Sequence, residues 1–351
     1  MASTWEQEYL AIVSGRRRGV GAALVRIGLR VTSWPYAAVV AARNWLYDCG
    51  WKRAHRAPVP VISVGNLTLG GTGKTPAVEY IARHFRRQDR RVAILSRGYG
   101  SESGRNDEAL VLEDNLPDVP HLQGPDRAAL AETAVEELES ELLILDDGFQ
   151  HRRLKRDLDI VLIDATNPWG YGRVFPGGLL REPRRGLRRA DLVLLTRCDQ
   201  APPAAVDALA EEVHRLIPSV PVVRSRHAPD RLVNSGRQDS PLADLAGKTV
   251  AAFCGIGNPD AFQKTLAELA CRVAAFEVFP DHHRYTREDV DRLREWARQL
   301  PEDGLVVTTQ KDLVKIQLEN LGGRPLWAVA IALLPTAGQE ALDAKLNGVL
   351  A

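Results

Sequence analysis

Val59-Pro-Val-Ile-Ser-Val-Gly-Asn-Leu-Thr-Leu-Gly-Gly-Thr-Gly-Lys-Thr-Pro76 reads as a strand, a turn and the start of a helix. Four of its first six residues are Val or Ile, an apolar run bounded by Pro60 and Gly65, as in a buried strand. Gly70, Gly71 and Gly73 then form a flexible turn that runs straight into Lys74, Thr75 and Pro76. Behind it Ala77, Val78, Ile81, Ala82 and Phe85 fall at helical spacing, and a proline suits a first helical turn. In that setting glycines let backbone N–H groups approach an anion, and the helix N-terminus favours its charge. Lys74 reaches the outer phosphates and the Thr75 hydroxyl suits Mg2+. The candidate phosphate cradle is Gly70, Gly71, Thr72, Gly73, Lys74, Thr75 and Pro76. Thr68 stands where the strict G-x-x-x-x-G-K-[ST] pattern has its first glycine, so an ordinary glycine-rich strand-to-helix turn is the competing reading.

A chain of 351 residues is long enough for two α/β domains with their own cores. A net charge of +1 and 45% apolar residues exclude a disordered chain and a general nucleic-acid binder. Cys49, Cys198, Cys254 and Cys271 lie far apart with no metal-ligand spacing, which fits reduced, buried thiols of a cytosolic protein. The first 56 residues differ from the rest. They hold nine Lys/Arg against three Asp/Glu, together with Trp34, Tyr36, Trp45, Tyr47 and Trp51. Arg26, Arg30, Pro35 and Arg43 interrupt the apolar run, so it is too broken for a spanning helix, and no cleavage site marks a signal peptide. Two readings stand: a basic, aromatic helix in a membrane interface, or an amphipathic helix packed on the domain.

After the cradle, Arg91–Ser96 reads as a second strand, followed by a turn over Arg97–Gly100. A polar surface loop over Ser101–Glu108 carries the acidic pair Asp107-Glu108, and a helix covers Pro125–Leu138. Leu142-Leu-Ile-Leu-Asp-Asp147 is a strand ending in acids, which is how a P-loop protein holds Mg2+ from the sheet's carboxyl edge. Asp159–Asp164 and Asp191–Thr196 are further strands. Between them lies a long Gly/Pro-rich, aromatic loop followed by five arginines from Arg181 to Arg189, either a solvated face or a set of phosphate contacts. Residues 228–248 turn polar and read as a linker. A second α/β unit starts at Thr249, and its strand Val273–Phe279 puts His282 at a carboxyl edge. Its Gly255-Ile-Gly257 is a weak dinucleotide fingerprint.

Together these residues resemble the tetraacyldisaccharide 4'-kinase (lipid A 4'-kinase) family. The resemblance is carried by Val64–Pro76, Leu95-Ser-Arg-Gly-Tyr99, Asp107-Glu108 and Leu145-Asp-Asp-Gly-Phe-Gln-His151. Leu180-Arg-Glu-Pro183, Phe279-Pro-Asp-His-His283 and Thr308-Thr-Gln-Lys-Asp312 complete it, and Thr68 is usual in this family. The resemblance implies ATP-dependent phosphorylation of the 4'-hydroxyl of a lipid A disaccharide precursor at the cytoplasmic face of a bacterial inner membrane. It assigns Lys74 and Thr75 to ATP phosphates and Mg2+, and Asp147, Gln150 and Glu182 to the metal side with Asp146 in support. Asp107, paired with His282, is implied to deprotonate the sugar hydroxyl. Asn106 and Gln310 depart from the family's usual Gly and Glu.

The expected architecture is therefore α/β: a P-loop NTPase-type sheet with helices on both faces, a second, smaller α/β domain, and an N-terminal amphipathic helical segment. The expected boundaries are 1–56, 57–228, a linker at 229–248, and 249–351. The two units are expected to form a cleft, with nucleotide on the first and His282 reaching in from the second. Membrane surface and lipid precursor are the expected partners, with ATP and Mg2+ as cofactors and no nucleic acid. A P-loop switch or assembly ATPase would need neither a proton acceptor nor a lipid-facing segment, and a soluble small-molecule kinase is the blander alternative.

Overall fold

The computed structural model describes residues 4–98 and 107–350. The turn at Tyr99-Gly100, the loop from Ser101 and the Asn106 departure lie outside the described residues. In chain order the elements begin with helices α1 (Thr4–Val13) and α2 (Val20–Asp48). Strand β1 (Val61–Asn66) leads into α3 (Lys74–Arg86), then β2 (Val92–Ser96), α4 (Asp107–Asn115) and β3 (His121–Gln123). Next come α5 (Arg127–Glu136), β4 (Leu142–Asp146), β5 (Leu158–Asp164), β6 (Leu192–Thr196), α6 (Pro203–Leu216) and β7 (Val222–Val233). The chain continues with β8 (Asp239–Ser240), β9 (Thr249–Cys254), α7 (Pro259–Glu268), β10 (Arg272–Val278) and α8 (Arg287–Arg298). It ends with β11 (Leu305–Thr309), α9 (Gln310–Ile316), β12 (Asn320–Leu321), β13 (Arg324–Ala337) and α10 (Gln339–Asn347).

Two compact units divide these elements. Among the described residues the larger holds 5–98, 116–227 and 333–350; the smaller holds 107–115 and 228–332. In the larger unit the strands run β3-β2-β4-β1-β5-β6-β7, all parallel. Parallel strands must be covered on both faces, and they are. Val161, Ile163, Val193 and Leu195 pack against Val206, Leu209 and Val213 of α6. Ala93, Leu95, Leu143 and Leu145 pack on Ala131 and Ala134 of α5. Chain order reverses at β1, with β4 on one side and β5 on the other, and a ligand in such a sheet binds where the strands end at that reversal.

The smaller unit repeats the plan on four strands, β10-β9-β11-β13, also parallel. Alternation along β9 sorts its residues: Ala251 and Phe253 face Leu293, Ala297 and Leu313, whereas Val250, Ala252 and Cys254 face Phe262 and Leu266. Thr286 and Asp289 form a capping box that starts α8.

Three expectations change, and one open reading gains its contacts. Asp107 and Glu108 are the first residues of α4, not part of a loop, and α4 belongs to the smaller unit although its sequence lies between β2 and β3. The expected linker at 229–248 instead holds the end of β7, β8 and a 3-10 turn at Leu242–Leu245. Polar residues such as Asp230 and Arg231 disguise that strand, while Leu232 and Val233 are buried. Residues 333–351 return to the larger unit, where Gly338 lies against Val222 and Asn347 bonds His84. The N-terminal segment packs on the Gly/Pro-rich loop of the larger unit. Tyr9 donates to Pro176 O and Gly178 O at 3.0 Å, and the Ser33 hydroxyl both donates to Val174 O and accepts from Gly177 N at 2.8 Å.

Candidate functional site

β1 is buried at every residue, and Val64 lies level with Asp146 of β4 and Ile160 of β5. The ends of the three central strands are thus in register beneath the phosphate cradle. The loop after β1 takes its shape from its neighbours. Thr68 forms an antiparallel bridge with Leu180, Leu69 N donates to Leu179 O, and Arg181 N donates to Leu67 O. Thr68 therefore occupies extended backbone, where a side chain is acceptable. Gly70 and Gly73 do need to be glycine, with φ of 106° and 85°. Gly73 caps α3, so the free N–H groups of that helix open into the loop. Behind the loop, Thr196 donates to Thr72 O and Arg197 to Gly71 O, at 2.8 and 2.9 Å.

The charged centre lies at the end of β4. Asp147 holds left-handed backbone at φ 53°, and Arg181 Nη1 donates to both of its carboxylate oxygens at 2.7 Å. Lys74 Nζ is 3.6 Å from Asp147 Oδ1 and 3.5 Å from Asn66 Oδ1. Burial pushes the Asp147 carboxyl up, but Lys74 and Arg181, with Arg127 further off, reverse this and leave it below its ordinary value. The carboxylate is ionised and turned toward cations. Thr75 is buried at the start of α3. Asp146 is also buried, and its carbonyl accepts from Arg127 at 3.3 Å. Asp147, Asp146 before it in sequence and Thr75 next to Lys74 offer the hard oxygen donors a divalent ion takes, and the guanidinium now on Asp147 shows that its two oxygens accommodate positive charge.

Gln150 and Glu182 behave differently from the metal-side role implied for them. Glu182 is fully buried. Both its oxygens take the Arg189 fork at 2.9 Å, one adds Gln150 Nε2 and the other Asn44 Nδ2, each at 3.0 Å. Gln150 Nε2 also donates to Asn66 O at 3.0 Å. A cation at Glu182 would have to displace a bidentate arginine. The carboxylate instead fastens α2, the loop and β1 together, and no group of three metal-binding side chains occurs among the described residues.

The smaller unit carries the second constellation. His282 Nδ1 lies 3.0 Å from Asp107 Oδ2, and Lys315 Nζ is 3.2 Å from the same oxygen. Asp107 and His282 were expected in different domains; both belong to the smaller unit, so the pair is assembled within it. Asp312, fully buried behind them, accepts from Tyr285 OH, Thr309 Oγ1 and Gly255 N. The hydrogen bond to Asp107 raises the His282 pKa above its ordinary 6.5; partial burial opposes it, Asp281 adds to it and Lys311 opposes it. Asp107 is raised by burial but lowered further by His282 and Lys315, so it ends below its usual value. Glu108 accepts from Lys311 at 3.0 Å, and Gln310 exchanges amide bonds with Asn115, fixing α9 to α4.

Sequence reasoning missed Arg127, Asn44 and Lys315 because each is an ordinary polar residue on a helix, and only tertiary packing aims them at the sites. Arg181 stood in the sequence as one of five arginines whose partner was open; its partner is Asp147.

The sequence pattern of the family described as Tetraacyldisaccharide-1-P 4'-kinase matches residues 25–351. A tetraacyldisaccharide 4'-kinase of Anaeromyxobacter dehalogenans (strain 2CP-C) is 42% identical over 354 residues, covering 94% of this chain and 92% of the relative. One of Geobacter sulfurreducens is 37% identical, covering 97% and 98%. Among solved structures, the "apo" form of LpxK from Aquifex aeolicus in complex with ATP superposes with a TM-score of 0.75 at 31% identity, covering 93% of this chain and all of that one.

If Glu182 is a structural node, Glu182→Ala should lower the unfolding free energy of the metal-free protein by about 3 kcal/mol, because Arg189 is left half-buried and unpaired. Urea unfolding in EDTA checks this, and a variant as stable as the parent would return Glu182 to the metal side.

Proposed function

The chain belongs to the tetraacyldisaccharide-1-P 4'-kinase family, and from that premise we propose how its two constellations divide the work of an ATP-dependent lipid A kinase. The transfer moves the γ-phosphoryl group of ATP to the 4'-hydroxyl of a tetraacyldisaccharide 1-phosphate. A bond forms between the hydroxyl oxygen and Pγ, the Pγ–O bond to the β-phosphate breaks, and ADP leaves with that electron pair. The observation that carries the assignment is the Lys74–Asp147–Arg181 cluster beneath a glycine loop whose two strained positions are glycines.

Phosphoryl transfer asks a protein for positioning and for neutralisation of charge. The loop amides and Lys74 hold the outer phosphates in place. Thr75 and Asp147, supported by Asp146, would hold Mg2+, which when bound neutralises the β- and γ-oxygens. Arg181 is placed to follow the charge: paired with Asp147 here, it has phosphate oxygens as alternative partners once a cation takes the carboxylate. We assign the hydroxyl proton to the Asp107–His282 pair acting as one acid–base unit. The His282 pKa is raised and the Asp107 pKa lowered, so the state that accepts the hydroxyl proton is the one with His282 neutral, and it fills as pH rises through the raised His282 pKa.

The N-terminal helices supply the lipid side of this reading. Val20, Leu24, Ile27, Val31 and Trp34 recur on one face of α2 at three- and four-residue steps, Trp45 lies eleven residues further on, about three turns along, and all are exposed. Beside that face, Trp45, Arg185 and Arg188 line a cavity of about 540 Å3. No described helix is long and apolar enough to cross a membrane. We propose that α2 lies on the cytoplasmic surface of the inner membrane, apolar face in the acyl boundary and arginines at anionic headgroups. A switch ATPase has no use for such a face or for a proton acceptor.

The activity is tested with γ-labelled ATP and tetraacyldisaccharide 1-phosphate. Label should pass to the lipid, and Lys74→Ala should cut kcat by roughly 100-fold or more with the fold intact; label found only in free phosphate would support the switch ATPase instead.

For the pair, the acid limb of kcat/KM should lie above pH 6.5 in the parent, because activity is lost as pH falls and His282 takes its proton. Asp107→Asn removes the group that raises His282, so the limb should move to lower pH while the plateau drops roughly 100-fold or more. An unmoved limb would show that the pair does not titrate as a unit.

Val31→Asp with Trp34→Asp should lower co-sedimentation with anionic vesicles roughly tenfold or more. Equal sedimentation of parent and variant would remove α2 from the membrane.

A further inference from the structure

Two side chains hold the same oxygen of Asp107, and they are unequally placed. His282 Nδ1 is 3.0 Å from Oδ2, but its side chain is 64% exposed. Its backbone is left-handed at φ 57°, a conformation a residue with a Cβ rarely adopts. It also loses its charge as pH rises through its raised pKa. Lys315 Nζ of α9, 3.2 Å from Oδ2, ends a side chain only 10% exposed. The nitrogen is shut off from water and makes no hydrogen bond among the described residues. A buried ammonium has to be compensated by charge. Asp107 of α4 and Asp312 of its own helix, 3.6 Å away, supply it.

These contacts close a circuit. Asp312 Oδ2 accepts from Gly255 N at 3.0 Å, and Gly255 O accepts from His282 N at 3.2 Å. His282 Nδ1 meets Asp107 Oδ2, and Lys315 returns from Asp107 to Asp312 Oδ1. Tyr285 OH and Thr309 Oγ1 fix the same Asp312 at 3.0 and 2.6 Å, so the anchor is not free to turn. Without Lys315 the circuit is open, and the Asp107 carboxylate depends on an exposed imidazole alone. With it, Oδ2 is held whatever the proton state of that imidazole. Oδ1, which accepts no hydrogen bond among the described residues, is left for an incoming hydroxyl.

We propose that Lys315 is a positioning residue for the transfer: it ties the Asp107 carboxylate to the buried Asp312, so that one oxygen stays aimed at the acceptor hydroxyl while His282 gains and loses its proton. This rests on the Asp107–His282 reading of the proton acceptor. The placement also sets a sign. The pair is neutral overall with its proton and negative without it, and an adjacent ammonium favours the negative state. Lys315 therefore lowers the pH at which the pair becomes able to accept a proton. The other groups facing the pair are Asp281 beside His282 and Lys311 of α9, itself paired with Glu108 of α4. Behind Asp312 lie Tyr285 and Cys254, both kept protonated first by burial and then by Asp312. All of these remain when Lys315 alone is changed.

Lys315→Met keeps the stem and removes the charge, whereas Lys315→Arg keeps the charge. In Lys315→Met kcat should fall roughly tenfold or more with the ATP KM unchanged. The acid limb of kcat/KM should move to higher pH, opposite to the direction expected for Asp107→Asn, and Lys315→Arg should keep the parent's limb. NMR titration of the His282 ring in the substrate-free full chain, with its signal identified by its loss in His282→Gln, should show the same upward move without reference to turnover. Lys315→Gln, which leaves a polar end between the two carboxylates, gives the same reading should the methionine variant not fold. A limb and ring titration that coincide with the parent's, with only stability reduced, would show that the lysine merely packs α9 on α4 and would overturn the proposal. An equal displacement in Lys315→Arg would overturn it too. An Asp107→Asn limb that does not move would instead remove the pair itself, a result obtained without any Lys315 variant.

Discussion

A carboxylate with no access to water has to be matched atom by atom, and Glu182 imposes that requirement on the larger unit. Its four donors come from three places: Asn44 in α2, Gln150 after β4, and the two ends of the Arg189 guanidinium. Gln150 carries the connection on to Asn66 at the end of β1, and Arg181, the residue before Glu182, carries it to Asp147. One buried charge thus positions α2, the strand that feeds the phosphate loop, and the arginine on the candidate metal carboxylate. Tyr36 and Arg43 add two more bonds from α2, to Arg181 O and Gln150 O. The helix α2, whose other face carries exposed apolar residues, is therefore linked to the phosphate-loop centre by hydrogen bonds whose rearrangement would leave charges unpaired.

The smaller unit solves a similar problem differently. Asp312 is as deeply buried as Glu182 but is matched by a backbone N–H, a threonine hydroxyl and the Tyr285 phenol. Burial and the adjacent Asp312 both raise the Tyr285 pKa, so the phenol keeps its proton and stays a donor. Lys315 spans from Asp312 to Asp107, and it presses Asp107 toward its ionised form while His282 is pressed toward its protonated one. Opposite shifts on two touching groups are what an ion pair produces, since each charge favours the ionised form of the other, and such groups titrate as one coupled unit. Because α4 brings Asp107 into the unit that holds His282, their 3.0 Å contact depends on packing of α4 against α9, which the Gln310–Asn115 amide exchange and the Lys311–Glu108 ion pair support.

The sequence by itself determined the phosphate loop, the acid-ended strand Leu142–Asp147 and the family. Each of these is local: a strand, a glycine turn and a helix start within eighteen residues need no partner to be recognised, and short apolar runs announce buried parallel strands. It determined too that a basic and aromatic segment precedes the loop, since composition is written in the chain, but not which of its faces is open. Tertiary structure alone decided what the arginines and carboxylates are for. Glu182 and Asp147 are both acids one charged residue beyond a pair or run of apolar ones, yet one is locked by a bidentate arginine and the other is turned to Lys74 and Arg181, because which charges meet is settled only by packing. The unit boundaries were equally hidden. Residues 107–115 and 333–350 cross to the other unit, and β7 runs through the expected linker, because domain membership is set by which cores side chains enter and leaves no mark in composition. His227 shows the limit most plainly: a histidine in a polar stretch of sequence becomes a buried neutral ring against the third glycine of the loop only when β7 is laid beside β6.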